Sequence, residues 1–488
     1  MSAIPRGDGL RQKVLSGLAW SVVRNWGNRV ITLGVFVLLA RLLEPAEMGL
    51  FAAAVAVLAV VDVLIEQGFG DAIVQRRDLT VAQINAAFYV TLGLASCAYL
   101  VLFVAAPWIE QLMKTPGLAP ILRWAGIAMI VNAAGSCQQA MLRREFDFKW
   151  LALRVLIATS VAGVAAAACA LYGLGTWSLV VQYLVFALLN VSLLWMRPRW
   201  VPSREVDLAG LRSLLRYSSN VLGSRLLDYA YSRFIELFLA ATLGSVVLGI
   251  YMVGARIHQT LMLLLISSFM DVSLSAFARL TERMEEFRHA YYRAAEAVGA
   301  LVMPCFVATA LLAPELTVLA FGPKWTESAF VLQVFGAVGA LQVIQYLNSS
   351  AIGATGRPDV TFWLSGLKAV MAVGALLVSR GAGLQPVVLC FAAGQVLATL
   401  TSLYIGSRYL GAPMREVARR LWPYAIGCIV MALVVTGVRY VPGFAHWALP
   451  LRTVTLLAVA AAAYLASWRL LAPARMHGIL TMLRGGRG

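Results

Sequence analysis

Apolar residues come along this chain in blocks of about 20 or more, which is what a helix needs to cross the hydrocarbon core of a bilayer. Short polar and mostly basic connections separate them. Fourteen blocks can be placed, at residues 17–42, 49–74, 84–108, 119–142, 151–171, 177–196, 214–243, 248–277, 291–313, 329–352, 361–379, 386–407, 421–440 and 449–471. The pattern predicts an all-α integral membrane protein of about 14 transmembrane helices.

The blocks repeat. Leu39, Ala40, Leu43, Gly49, Leu64, Phe69 and Asp71 recur about 200 residues on as Leu239, Ala240, Leu243, Gly249, Leu264, Phe269 and Asp271. One half is then about six spans, and an even count keeps both halves in the same orientation, related by an axis along the membrane normal. The expected layout is an N-terminal six-helix lobe over residues 1–196, a cytoplasmic linker over 197–213, a C-terminal six-helix lobe over 214–410, and an extra helix pair with a cytoplasmic tail over 411–488. The two lobes are expected to face a central cavity. The connections 197–213 and 279–289 are basic and predicted to be short surface helices.

Within this apolar background one polar stretch stands out. In R-L-L-D-Y-A-Y-S-R-F-I-E, residues 225–236, helical spacing puts Arg225, Asp228, Tyr229, Ser232, Arg233 and Glu236 on one side. Charge inside a span normally faces a bundle interior or a wet cavity. Two readings stay open: a salt-bridge ladder, Arg225 with Asp228 and Arg233 with Glu236, that only joins helices, or a seam that also lines a translocation path. The first span has a polar face of its own, Trp20, Arg24, Asn25, Asn28 and Arg29, so equivalent faces of both halves are polar. Arg24 can snorkel to the interface, whereas Arg29 lies too deep to do so easily. Asp62 and Glu66 share a face of the second span at i, i+4, and Arg256 and His258 lie on its counterpart. Substrate contacts therefore fall to Arg24, Asn28, Arg29, Arg225, Arg233 and Arg256. Asp62, Glu66, Asp228 and Glu236 are the candidates for coupling to protons or sodium ions; no bound cofactor and no metal site is expected.

Composition agrees with the pattern: of 488 residues, 61% are hydrophobic and 13% charged, outside the range of soluble domains. The net charge of +17 would suggest nucleic acid in a soluble protein; here it follows from basic loops, so no nucleic-acid partner is expected. Arg76, Arg77, Arg143, Arg144, Arg197, Arg199, Arg279, Arg283, Arg288, Arg415, Arg419 and Arg420 all fall in connections on the N-terminal side of the membrane, which predicts cytoplasmic N- and C-termini. The N-terminus has no cleavable signal pattern, so the first span is expected to serve as its own insertion signal. Six cysteines sit singly in apolar runs and read as small buried hydrophobes. Trp108, Trp124, Trp177, Trp195 and Trp325 lie near span ends, where interfacial anchoring is expected. The chain has no phosphate-cradling G-x-x-x-x-G-K-[ST] loop, no H-E-x-x-H and no nucleophile elbow, which argues against ATP-driven transport and hydrolase chemistry within it.

Several short motifs resemble those of a known family. They are G-L-A-W (residues 17–20), L-A-R-L-L-E-P-A-E-M-G-L-F-A (39–52), G-F-G-D-A-I-V-Q (68–75), Q-Q-A-M-L-R-R-E-F-D-F (138–148), G-L-G-T-W-S-L-V (173–180), L-G-I-Y (248–251), F-G-P-K-W (321–325) and A-I-G-A-T-G-R-P (351–358). Jointly, over about the first 410 residues, they resemble the polysaccharide transporters, exopolysaccharide and O-antigen flippases, of the multidrug/oligosaccharidyl-lipid/polysaccharide exporter superfamily. The resemblance implies two six-helix lobes around a central cavity in a bacterial inner membrane. It implies a transporter, not an enzyme, that moves an undecaprenyl-diphosphate-linked oligosaccharide between leaflets by alternating access for exopolysaccharide, O-antigen or capsule synthesis. Membrane lipids, a polysaccharide polymerase and a chain-length regulator are the partners such a protein would have. A drug or ion antiporter of the same superfamily is the rival reading, and a membrane polymerase or ligase a more distant one that the short outer loops disfavour.

Overall fold

The computed structural model describes residues 26–65, 70, 73–74, 79–145, 147–473 and 475–476; for residues 64, 208–232, 266–272, 274–275, 358 and 361 it describes the backbone alone. Its helices are α1 (residues 26–42), α2 (Pro45–Ile65), α3 (Val81–Met113), α4 (Leu118–Ala125), α5 (Ile127–Arg144), α6 (Phe148–Leu171), α7 (Thr176–Trp195) and α8 (Leu208–Ala278), followed by α9 (Met284–Leu301), α10 (Met303–Leu311), α11 (Ala313–Phe321), α12 (Ser328–Ala354), α13 (Pro358–Val378), α14 (Leu384–Tyr409), α15 (Met414–Arg439) and α16 (Leu449–Leu471). No strand occurs among the described residues. Eleven spans among them are long and apolar enough to cross a membrane, with α4–α5 and α9–α10 each forming one. The expected first span begins before residue 26, and α13 carries a shorter apolar stretch, Phe362–Val378. This is a multi-pass membrane protein.

The expected spans 214–243 and 248–277 both lie on α8, which breaks between them at Gly244, where φ is 83° and ψ 178°. L side chains rarely adopt that φ, so glycine is what lets the chain turn there.

The chain divides into two compact units, one ending at Gly249 and the other starting at Ile250. In the first, a helix crossing places two repeat-related glycines backbone to backbone. A Cβ on Gly49 would lie 1.7 Å from the Ser245 carbonyl oxygen, and one on Gly249 would lie 2.0 Å from the Pro45 carbonyl oxygen. Small residues spaced by four thus meet reciprocally, Pro45 and Gly49 against Ser245 and Gly249, the kind of close approach that holds helices together where lipid supplies no hydrophobic drive.

The connection after α7 corrects the expectation of a surface helix. Residues 197–207 are irregular, with no helix, and are strapped onto the first unit by side-chain hydrogen bonds; helix begins only at Leu208. The strap is held by side chains that are themselves fully buried, Asn85 and Gln138. The Asn85 amide donates to the Ser203 hydroxyl at 2.6 Å and the Glu205 carbonyl at 2.8 Å, while its oxygen accepts from the Trp200 indole at 2.9 Å. Gln138 donates to the Trp200 carbonyl and accepts from the Arg199 N–H at 3.1 Å. Arg199 also pairs with Glu145 at 3.2 Å and Asp147 at 3.0 Å. Where the strap meets α8, the Asp207 N–H donates to Ala82 and the Gln83 amide donates to the Asp207 carboxylate, both at 3.2 Å. Trp200 packs edge-on to Phe88, 5.4 Å between centroids. The connection 279–289 is likewise not an independent surface helix, because a turn ends near Arg283 and α9 starts at Met284.

In the second unit, amides and hydroxyls fix the register of α12 against α14. Gln342 donates to Gln395 at 3.2 Å, Thr399 to Gln345 at 2.9 Å and Asn348 to the Ser402 carbonyl at 2.9 Å. The last pair, α15 and α16, is part of this unit's core. Tyr464 donates to the Ala300 carbonyl at 2.8 Å, Arg420 pairs with Glu296 at 3.0 Å, and Arg439 pairs with the buried Glu315 at 2.6 Å. Among the tryptophans, Trp108 and Trp124 are exposed as anchors should be, but Trp325 is fully buried and belongs to the core. The six cysteines are free.

Two outcomes follow from this packing. Gly49→Val drives side-chain atoms into the Ser245 backbone and should destabilise the full chain by about 3 kcal/mol or more, seen as a lowered melting temperature in detergent. Asn85→Leu strands the Trp200 indole and should cost about 1–3 kcal/mol. Trypsin should then cut faster after Arg199 or Arg204 than in the wild type; unchanged cleavage would show that Asn85 does not hold the strap.

Candidate functional site

Five helices of the first unit, α2, α3, α5, α7 and α8, enclose a cavity of about 430 Å³. That is the size of a small-ligand site. Its wall is half polar in kind: Asp62 from α2, Thr91 from α3, Asn132, Ser136, Gln139 and Arg143 from α5, Tyr183 and Asn190 from α7, and Arg233 from α8. Val55, Val63, Met129 and Leu194 supply apolar surface between them. The cavity lies toward one end of the bundle, since Asp62, Arg143 and Leu194 are within a few residues of the C-termini of α2, α5 and α7.

Each polar group reaches the cavity through helical spacing. Asn132, Ser136, Gln139 and Arg143 follow one another at i, i+4, i+7 and i+11, a single stripe down α5. Ser136 donates to its own helix, to the Ala133 carbonyl at 2.8 Å, which leaves its oxygen able to accept. The amides of Asn132 and Gln139 have no hydrogen-bond partner among the described residues, and the Asn190 side-chain oxygen is buried without one. Asn132 is exposed and Gln139 half-buried in the wall, so among these groups it is the buried Asn190 oxygen that carries the cost of about 1–3 kcal/mol of an unsatisfied polar atom.

Arg233 and Glu236 carry the site's electrostatics. The guanidinium donates from Nη1 to both carboxylate oxygens, at 3.0 and 2.9 Å, and Glu236 is buried while Arg233 remains a third exposed toward the cavity. Pairing at i, i+3 lets both charges stay inside a span, each compensating the other. Tyr183 lies within electrostatic reach of both Asp62 and Arg233, so a carboxylate, a phenol and a guanidinium share one wall. Tyr183 in turn packs edge-on to Phe51 at 6.1 Å.

Of the residues expected from sequence, Asp62 and Arg233 meet in this cavity and Glu236 stands behind Arg233. Asn28 and Arg29 are half-buried on α1 and are not among the lining residues; Asn28 accepts from the Thr159 hydroxyl on α6 at 2.7 Å. Arg256 is half-buried in the second unit. Near it, His258 sits between Phe306 and Phe335, with centroids 5.5 and 5.6 Å away. Arg24 and Glu66 lie outside the described residues, as do the side chains of Arg225 and Asp228. The α5 stripe and Asn190 were not singled out from sequence. Their signal was available, because 132, 136, 139 and 143 share a face, but Arg143 reads as a loop charge and lone amides in apolar runs draw no notice. Arg154 was missed too: it is buried in α6 and donates to the Asn190 carbonyl at 3.4 Å.

Comparison with known proteins agrees with this architecture. Over 425 residues the chain is 24% identical to the lipopolysaccharide biosynthesis protein WzxC of Escherichia coli K12, covering 85% of each chain. It is 25% identical over 366 residues to the succinoglycan biosynthesis transport protein ExoT of Rhizobium meliloti, covering 74% of each. Among solved structures, it shares its fold with the lipid II flippase MurJ in an inward closed conformation, at a TM-score of 0.76 and 10% identity, covering 93% of this chain and 98% of the other. A multidrug resistance MATE family transporter of the MOP superfamily, in an inward-facing conformation, aligns at a TM-score of 0.54 and 17% identity, over 81% of this chain and 95% of the other. Residues 38–330, more than half of the chain, match the family described as polysaccharide biosynthesis protein, and this chain belongs to that family.

Proposed function

We propose that this protein is a flippase that translocates undecaprenyl-diphosphate-linked oligosaccharide repeat units across the bacterial inner membrane by alternating access, with both termini cytoplasmic. The observation that carries the reading is the cavity itself. A pocket within membrane-spanning helices that combines two arginines with amides, a hydroxyl and a phenol suits a head group that is both anionic and rich in hydroxyls. Guanidinium groups form charge-assisted, bidentate bonds to phosphate oxygens, which offset the desolvation of a diphosphate. The prenyl tail has no need to enter, since it is as apolar as the surrounding lipid. Membership of a polysaccharide biosynthesis family and likeness to a lipid II flippase support the same direction.

In this reading Arg143 and Arg233 hold the diphosphate in the first unit, and Arg24, Asn28, Arg29, Arg225 and Arg256 are the further residues expected to contact the substrate. Asp62, with Glu66, Asp228 and Glu236, provides the carboxylates through which a proton or sodium gradient could be coupled. A polysaccharide polymerase and a chain-length regulator would act on the product at the outer face.

Arg143 tests the site cleanly, because it is exposed and its loss strands no buried partner. Arg143→Gln should reach the membrane at wild-type level yet lower surface polysaccharide about ten-fold, equivalent to about 1.4 kcal/mol, with lipid-linked sugar accumulating on the cytoplasmic side. Export at the wild-type rate would reject Arg143 as a contact. Asp62→Asn should leave substrate binding intact while transport into vesicles stops responding to an imposed proton or sodium gradient; an undiminished response to both would remove Asp62 from the coupling role.

A further inference from the structure

The cavity wall is divided by chemistry. Its charged groups, Asp62, Arg143 and Arg233, come from three different helices, and Arg233 is already engaged by Glu236. Its neutral groups cluster on two facing helices: Asn132, Ser136 and Gln139 on α5 and Asn190 with Tyr183 on α7. Neither Asn132 nor Gln139 bonds to another described residue, the Asn190 oxygen is buried without a partner, and Ser136 keeps an acceptor.

This contrasts with the other amides of the same unit. Asn85 and Gln138 are each saturated by the strap, and Asn28 takes the Thr159 hydroxyl. Gln138 and Gln139 are sequence neighbours about 100° apart around α5, one holding the strap and the other facing the void. Amides left open at helical repeat along one cavity wall, with the buried and unpartnered Asn190 oxygen across from them, mark a surface open to an external ligand rather than one used up in packing.

Carboxamides present donor and acceptor side by side, which matches a sugar hydroxyl, itself both donor and acceptor. An ionised phosphate, which only accepts, can take their N–H groups but leaves their oxygens, the buried Asn190 oxygen among them, unanswered. Three amides and a serine in one wall can engage successive hydroxyls of a pyranose ring, and Tyr183 adds an amphipathic ring against which an apolar sugar face can rest. We infer that the α5–α7 face, Asn132, Ser136, Gln139 and Asn190, is a neutral-sugar subsite that reads the hydroxyl pattern of the first saccharide, separate from the arginines that take the anion. The inference rests on the flippase reading and adds to it where glycan selectivity resides.

The test uses the full chain in nanodiscs with two probes of equal tail length, octyl β-glucopyranoside for the sugar and octyl phosphate for the anion. Asn132→Leu/Gln139→Leu should weaken glucoside binding about ten-fold or more and leave octyl phosphate binding unchanged, because each lost amide removes hydrogen bonds that only a hydroxylated ligand makes. Retained phosphate binding also reports that the variant is folded. Gln139→Glu, which keeps shape and acceptors but loses donors and adds charge, should impair the glucoside less than the double leucine variant. Equal glucoside affinity in wild type and double variant overturns the subsite, as does a wild-type chain that binds octyl phosphate but no glucoside. Those results leave the flippase reading standing, since it is judged separately by Arg143→Gln and polymer export.

Discussion

An arginine within a bilayer-spanning helix must find its countercharge and hydrogen bonds inside the protein, because lipid supplies neither. In this chain Glu236, one helical turn beyond Arg233, meets that requirement with two short bonds to one guanidinium nitrogen. The pair neutralises itself without closing the space beside it, and that is what allows a cavity with Asp62, Tyr183 and Arg143 in its wall to exist within the spans. Removing Arg233 alone would leave a buried carboxylate, a loss of about 3–5 kcal/mol for such pairs. Of the expected ladder, Arg233 with Glu236 forms, and the same arginine also faces a cavity; the side chains of Arg225 and Asp228 lie outside the described residues.

Alongside apolar burial, helix contacts are set by close approach and by hydrogen bonds. Gly49 and Gly249 allow two backbones to touch, and Gly244 lets α8 break just before that contact. The α12–α14 amide ladder does the same work in the second unit by specifying which turn meets which. Such contacts set register sharply, because a shift of one residue leaves a buried amide unpaired or puts a Cβ into a carbonyl.

Polar side chains thus fall into two classes that look alike in the sequence. Asn85, Gln138 and Asn348 are consumed by structure. Asn132, Gln139 and Asn190 keep unengaged groups beside a void. The distinction matters for reading related chains, where an amide within a span signals a ligand surface only if nothing in the fold answers it.

Much of this architecture was legible along the chain. Block lengths set by bilayer thickness marked the spans, the offset of about 200 residues marked the repeat, and i, i+3 spacing paired Arg233 with Glu236. A boundary between apolar blocks near residue 244 foretold the break in α8. Other features were settled only by tertiary structure. Helical periodicity says which residues share a face but not what that face meets, so it could not tell that Gln138 would anchor a strap while Gln139 lined a cavity. Nor could it show what residues 197–207 would meet: Pro198 and Pro202 argue against helix there, but only the fold brings Trp200 to the buried Asn85. Trp325 makes the same point, reading as an interfacial anchor by position and becoming core by what closes over it. Spans follow from the solvent, which acts on each segment alone; the site follows from which segments become neighbours.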